Sequence, residues 1–161
     1  MKRILIALAM LAAVQVADAQ VKTPDVAAKA LTKAEAAAKD AKKATKVATW
    51  TKLAEAYMDA YNAPAGNAWV GATAQELALL MGSEKPLSEE QVEVAGTPYI
   101  KVAYADKDLY YNANGQLAMI IVTKPVCEDA LGNALNAYKT AYQVDVKKSK
   151  EKDIKAGIAS I

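Results

Sequence analysis

The sequence predicts an α+β fold that is mainly helical, with a small antiparallel sheet inserted between two helices. Two stretches, residues 46–61 and 126–144, repeat their apolar side chains at spacings of three and four, which is typical of amphipathic helices. Between them, over about residues 91–123, apolar and polar side chains alternate as they do in strands. Because two or three short strands are not stable alone, we expect the sheet to pack on helices.

The helix over residues 46–61 is expected to organise the core. Its buried face is formed by side chains at spacings of three, four and seven, namely Trp50, Leu53, Ala54 and Tyr57. Ala54 is small enough to let another helix approach closely, and the two aromatic residues are large apolar bodies with polar tips. The helix over residues 126–144 is expected to bury a second apolar stripe. The core should centre on the large side chains of these two helices, namely Trp50, Leu53, Tyr57, Leu131, Leu135, Tyr138 and Tyr142.

Three further helices are predicted. An alanine- and lysine-rich helix over residues 26–43 follows the start signal Thr23-Pro24-Asp25, and Thr73-Ala74-Gln75-Glu76 has the form of a capping box. An amphipathic pattern over residues 150–161 begins a last helix. In the intervening sheet, Asn114-Gly115 predicts a hairpin turn. Within the helix at 126–144, Gly132 is expected to let a neighbouring element come close.

The N-terminus has the pattern of a secretory signal peptide. Lys2-Arg3 precedes an apolar stretch, and Ala17-Asp18-Ala19 has the small-x-small form of a cleavage site. We therefore expect a signal peptide at 1–19, with an uncleaved anchor as the alternative. The mature chain is expected in the periplasm, with secretion or association with the outer membrane as alternatives, and without stable membrane insertion after cleavage.

The remaining residues divide into one domain and a tail. We expect a helical domain at 20–145 with an insertion at 62–125, followed by a charged linker and the start of a further helix at 146–161. Loss of Lys2, Arg3 and Asp18 with the signal changes the formal net charge from +2 to +1, which gives no argument for nucleic acid as a partner.

The composition argues against familiar catalysis. The chain has no His and a single Cys, so it lacks a conventional catalytic triad, an internal disulfide and a structural zinc site. Cys127 is interpreted as a small buried or helix-start residue, with a reactive thiol as the alternative. We find no catalytic, cofactor-binding or metal-binding set, and predict that the protein is not an enzyme.

Two segments together resemble a tetratricopeptide repeat. Trp50-x-x-Leu53-Ala54-x-x-Tyr57 is similar to its first helix, and Ala134-x-x-x-Tyr138-x-x-Ala141 to its second. The resemblance implies that the two helices pack as a repeat-like antiparallel helical hairpin, that is, as one repeat whose inter-helix turn is opened by the inserted sheet. The whole chain also resembles the N-terminal part of exported repeat-containing proteins of the Bacteroides group, which implies a longer protein.

These observations favour a non-catalytic protein-interaction or scaffold module of the cell envelope, which binds an unidentified protein through stacked helices or the inserted hairpin. Since the two faces of one sheet cannot both cover the same helices, some strand tyrosines are expected to be exposed. The candidate contacts are Tyr104, Tyr110, Tyr111 and the loop residue Trp69, with ordinary strand and core packing as the alternative.

Two other functions stay open. The chain could be the N-terminal structural cap of a longer helical-repeat protein, in which case Ile154, Ile158 and Ile161 should form an exposed stripe. It could also be an unfamiliar envelope enzyme that uses carboxylates or tyrosines, which requires a deep pocket and an acid with a shifted pKa.

Overall fold

The computed structural model describes residues 21–81 and 84–161, so the expected signal peptide at 1–19 lies outside the described residues. In this part of the chain the fold is α+β and mainly helical, as the sequence predicts. The helices are α1 (Pro24–Lys39), α2 (Val47–Asn62), α3 (Ala74–Leu80), α4 (Ala130–Val144) and α5 (Glu151–Ala159). The strands are β1 (Ser88–Val94), β2 (Thr97–Ala103), β3 (Lys107–Tyr111) and β4 (Leu117–Val122).

Helix α2 packs against α1 on one side and against α4 on another, which confirms that the two distant helices meet. Most of the buried positions between the helices are alanines, and we call the whole set the helical core. Its buried members are Leu31, Leu53, Ala54, Ala56, Ala60, Ala137, Tyr138, Ala141 and Ile154. Trp50, Tyr57 and Tyr142 pack against this set, whereas Leu131 and Leu135 are only half-buried and lie outside it. The expectation that these two leucines anchor the core is therefore wrong: at this contact alanines occupy the buried positions.

The polar tips of the two aromatic residues on α2 find partners, as their chemistry requires. Trp50 Nε1 donates to the carbonyl oxygen of Ala44 at 2.7 Å, and Tyr57 Oη donates to Glu35 Oε1 at 2.9 Å. Burial, helped by the nearby Glu35 carboxylate, raises the pKa of Tyr57 to about 12. Both bonds attach α2 to the chain that precedes it.

Two helices are shorter than the sequence predicts, and each difference has a local cause. Helix α1 ends at Lys39 because Asp40 adopts an extended conformation and its Oδ1 accepts from the amides of Lys42 and Lys43 at 2.9 and 3.0 Å. Helix α4 begins at Ala130 because Asp129 is in the left-handed region, with φ of 47°, which a right-handed helix cannot include.

The sheet has four antiparallel strands in the order β1-β2-β3-β4, one more than the upper limit of the expectation. It begins at Ser88 rather than near residue 91. The second half of β1, from Gln91, already lies in the expected range, whereas its first three residues, Ser88, Glu89 and Glu90, are polar and exposed and show no alternation. Its turn to β2 places Ala95 and Gly96 at φ of 51° and 79°, the left-handed pair of a tight two-residue hairpin.

The predicted hairpin at Asn114-Gly115 is confirmed between β3 and β4. Asn112 Oδ1 accepts from the amides of Asn114 and Gln116 at 2.9 and 3.1 Å, and Gly115 takes the left-handed conformation with φ of 72°.

One face of the sheet packs on α3, which confirms that the sheet needs a helix to cover it. The shared cluster, here called the sheet core, consists of Ala72, Leu77, Leu109, Tyr111 and Leu117. The predicted capping box starts α3: the Thr73 amide donates to Glu76 Oε2 at 2.7 Å and the Glu76 amide donates to Thr73 Oγ1 at 3.3 Å.

Helix α5 folds back onto the helical core. Ile154 is fully buried and Ile158 packs beside it, so the expected exposed stripe is present only at Ile161. At Gly157, an added Cβ would overlap the ring of Tyr138, which explains how α5 approaches α4 so closely. The expectation that Gly132 admits a neighbouring element is wrong. The group beside Gly132 is the carboxylate of Asp129, the residue that precedes α4.

The start of α5 is held by Asp145, whose side chain is buried. Its carboxylate accepts from the Lys150 amide at 2.7 Å and from the amide and hydroxyl of Ser149 at 3.1 Å. Burial by itself would raise the pKa of Asp145, but these hydrogen bonds outweigh it and lower the pKa below the ordinary 3.8. Across both described ranges, no helix combines the length and the apolar character needed to cross a bilayer.

The two helical glycines should respond oppositely to alanine. Gly157→Ala should lower the free energy of unfolding by about 1–3 kcal/mol, because Tyr138 is held in the core and cannot move aside. Gly132→Ala should raise it by up to about 1 kcal/mol, because the exposed Asp129 side chain can rotate away and alanine favours helix. Urea unfolding followed by circular dichroism measures both, and equal effects would contradict the close approach of α5 to Tyr138.

The Asp145 carboxylate should make stability depend on pH. Since its pKa is lowered in the folded state, its stabilisation is complete above the ordinary 3.8 and is lost as the pH falls below that value. At pH 7, Asp145→Asn should lower the melting temperature by about 2–5 °C, and this difference should shrink toward pH 3. The control is Asp153→Asn, which removes only an exposed ion pair with Lys150 and should have little effect. A difference that persists unchanged at pH 3 would refute this role.

Candidate functional site

The structure separates the four aromatic residues that the sequence analysis names as contacts. Tyr111 is 6% exposed and belongs to the sheet core, and burial raises the pKa of its hydroxyl. The expectation that Tyr111 contacts a partner is therefore wrong, because it is a core residue. Tyr104 is half-buried beside the same core, and Lys107 Nζ lies 5.5 Å from its ring centroid. Tyr110 is half-buried on the opposite face of the sheet. Trp69 is 45% exposed in the loop before α3.

Tyr110 is part of an ordered patch on the face of the sheet that points away from α3. Its ring meets Tyr99 edge to face, with ring centroids 6.3 Å apart. On the same face Lys101 pairs across the strands with Glu90 at 3.2 Å and with Asp108 at 3.3 Å. These polar side chains pair with one another across the strands, so the contacts on this face stabilise the sheet.

Lys107 is a buried cation at the edge of the sheet core. It is 1% exposed, and its Nζ lies 2.7 Å from Glu84 Oε2 and 3.2 Å from Asp106 Oδ1. Both carboxylates keep contact with water while the ammonium does not. Within residues 21–81 and 84–161, the hydrogen bonds of the ammonium go to these two acids, so we assign Lys107 a structural role.

The two outer strands of the sheet have different edges. The exposed edge strand β1 carries three glutamates, Glu89, Glu90 and Glu93, and such charges discourage pairing with another chain. Strand β4, at the other edge, has the sequence LAMIIV and carries no charge. By this criterion only the β4 edge is open to pairing among the described strands.

The unpaired backbone groups on β4 follow from the hydrogen bonds around it. In an antiparallel pair, every second residue of a strand bonds to its neighbour strand. The Thr123 amide donates to the carbonyl oxygen of Asp106 on the β3 side, so Ile121, paired with Asp108, and Met119, paired with Tyr110, also bond to β3. Ile120 and Val122 therefore direct their amide and carbonyl groups away from β3. At Leu117 the same outer edge is already occupied by the chain's own segment at residues 71–73.

This free edge opens on a groove of about 670 Å³ between the sheet and the helices, which we call the strand-edge groove. One wall is formed by β4 and the other by the end of α2 and the start of α4. The lining residues are Ala60, Tyr61, Asn62, Ala65, Ile120, Ile121, Val122, Pro125, Cys127, Glu128, Asp129, Ala130 and Leu131. Trp69 is not among them: it lies in the loop between Ala65, which lines the groove, and Gly71, whose amide donates to the carbonyl oxygen of Leu117.

Cys127 lines this groove without the features of a reactive thiol. Burial raises its pKa, and the weak hydrogen bond from Asn133 Nδ2 at 3.9 Å only partly opposes that shift. Because the thiolate is the reactive form, a raised pKa favours the interpretation of Cys127 as a packing residue near the helix start.

The described carboxyl groups whose pKa is shifted serve local structure. The pKa of Glu76 is lowered by hydrogen bonds from Thr73 and that of Glu151 by Lys155, and Asp145 belongs to the start of α5. A general acid at neutral pH needs a raised pKa instead. In the described ranges, no group of three or more Cys, Asp or Glu side chains is placed to hold a metal ion.

Sequence reasoning missed the groove because three separated segments form it. The run Met119-Ile120-Ile121-Val122 is apolar on both faces, whereas a strand with one solvated face alternates. That run is the one signal in the sequence that could have indicated a partly uncovered strand.

The buried ammonium gives a test of the sheet core. Lys107→Met should change the free energy of unfolding by less than about 1 kcal/mol, because the methylenes are replaced and both acids stay hydrated. The double variant Glu84→Gln with Asp106→Asn should cost about 3 kcal/mol or more, because it leaves the buried charge without a partner. Urea unfolding measures the loss of stability in both variants. A larger loss in Lys107→Met than in the double variant would contradict the structural role of Lys107.

No family model matches the chain, and the comparisons with curated proteins and with solved structures also give no match. The resemblances to the tetratricopeptide repeat and to exported repeat proteins of the Bacteroides group therefore stay predictions.

Proposed function

We propose that this protein is a non-catalytic protein-binding module of the cell envelope and that it holds its partner in the strand-edge groove. One observation carries the proposal: an uncharged edge strand directs free backbone groups into a groove walled by two helices. The backbone groups of an open strand edge can pair with another chain, and a protein segment supplies donors and acceptors in the matching order.

The walls of the groove support a protein as the ligand. Ile121 is 44% exposed and Val122 is 37% exposed, and Tyr61 is exposed on the facing helix. Apolar and aromatic side chains around a row of backbone groups are typical of surfaces that bind polypeptide. The envelope address rests on the signal-peptide pattern, and the non-catalytic role rests on a sequence with no His and a single Cys.

The groove places the proposed contact at the edge of the inserted sheet, rather than on stacked helices or on the open sheet face around Tyr110. The alanine-rich faces of α2 and α4 are used against each other, and the Tyr99–Tyr110 face is engaged in its own contacts. The residues that line the groove do not include the four aromatic residues named from the sequence.

Site-specific photo-crosslinking in cells that produce the protein tests this function. A crosslinking residue at Ile121 should trap a defined envelope protein, and the same residue at the exposed Lys152 on α5 should not. The added variant Val122→Glu, which places a charge beside the free edge, should reduce the trapping at Ile121 about tenfold or more.

A matched crosslinking residue at Tyr110 separates the edge of the sheet from its open face. Ile121 pairs with Asp108 and therefore shares the face of Tyr110, but it lies on the edge strand and lines the groove. Trapping at Tyr110 without trapping at Ile121 would refute the groove, and a lack of trapping at both positions would refute the protein-binding role of the sheet.

A further inference from the structure

We infer that the occupant of the strand-edge groove is an extended peptide segment carrying Lys or Arg, which pairs with β4 as a fifth strand. This inference rests on the proposed function and specifies its partner.

The chain itself already uses this mode of pairing on the same edge. Gly71 donates to the carbonyl oxygen of Leu117 at 2.7 Å, and the Leu117 amide donates to the carbonyl oxygen of Ala72 at 2.7 Å. Thr73 and Gln116 form an antiparallel bridge next to them. A ligand strand would continue this line along β4, where Ile120 and Val122 offer the next outward-facing groups.

The charge of the groove selects the ligand. Glu128 and Asp129 are exposed in its lining, and the lining contains no Lys or Arg. Within the described part of the chain, no ion pair involves either acid. A cationic side chain on the peptide would meet them at the helix wall while its backbone pairs with β4.

A second copy of this chain fits the groove less well. Its own β4 carries no positive charge, and its β1 edge carries three glutamates that would face the two acids. A basic peptide satisfies both the backbone groups and the acidic wall.

Selection from a displayed library of random heptapeptides tests the inference. The protein should enrich peptides that alternate β-branched or apolar residues and contain Lys or Arg. The variant Glu128→Lys with Asp129→Asn should bind these peptides about tenfold more weakly, and Asn is chosen because it tolerates the left-handed conformation of residue 129. Glu89→Lys with Glu93→Gln, a matched charge change at the other edge, should leave binding unchanged.

Amide hydrogen exchange with a selected peptide then tests the pairing itself. Exchange at Ile120 and Val122 should slow at least tenfold, with little change at Met119 and Ile121, which already bond to β3. The same peptide with alternate backbone nitrogens methylated should lose binding, since it cannot donate to the edge.

Each contrary result has a distinct meaning. Enriched peptides without a basic residue, or binding without protection at Ile120 and Val122, would overturn the strand-addition inference. If Ile121 still traps an envelope protein, the proposed function stands without it. If protection at these amides appears in the protein alone and grows with its concentration, the occupant is a second copy and the inference is wrong.

Discussion

The contact between α2 and α4 is made of alanine, and the rest of the structure is arranged around that choice. Ala54, Ala134 and Ala141 are fully buried at positions where most helical interfaces place leucine. Short side chains bring two helices close together, so the contact gains many weak dispersion contacts but little apolar area per residue. Leu53 and Tyr138 are the large side chains buried on these two helices, and at the margin Trp50 and Tyr57 combine packing with hydrogen bonds to the chain that precedes α2.

Each helix was predictable from the sequence because its periodicity is local. The spacing of Trp50, Leu53, Ala54 and Tyr57 identifies one face, and the stripe containing Ala134 and Tyr138 identifies another, whereas their pairing was implied by the resemblance to the tetratricopeptide repeat. The capping box at Thr73 and the turn at Asn114-Gly115 were predictable for the same reason, since all their donors and acceptors lie within a few residues.

Features that depend on tertiary context were not predictable in this way. The left-handed conformation of Asp129 sets the start of α4, yet no residue of the local sequence requires that conformation. The burial of Tyr111 and the partial burial of its neighbour Tyr110 follow from which face α3 covers, and a run of tyrosines does not encode that choice. The strand-edge groove combines the end of α2, β4 and the start of α4, so it exists only after these segments meet.

The connection between α2 and α4 has a consequence for the order of folding. Everything from Ala63 to Asp129 lies between two helices that form the main core, so closing that loop early would cost chain entropy. Each strand of the intervening sheet pairs with its neighbour in sequence, and α1 packs on the adjacent α2. These short-range pairings can form first and draw the ends of the loop together, so that the docking of α4 becomes the late, committing step.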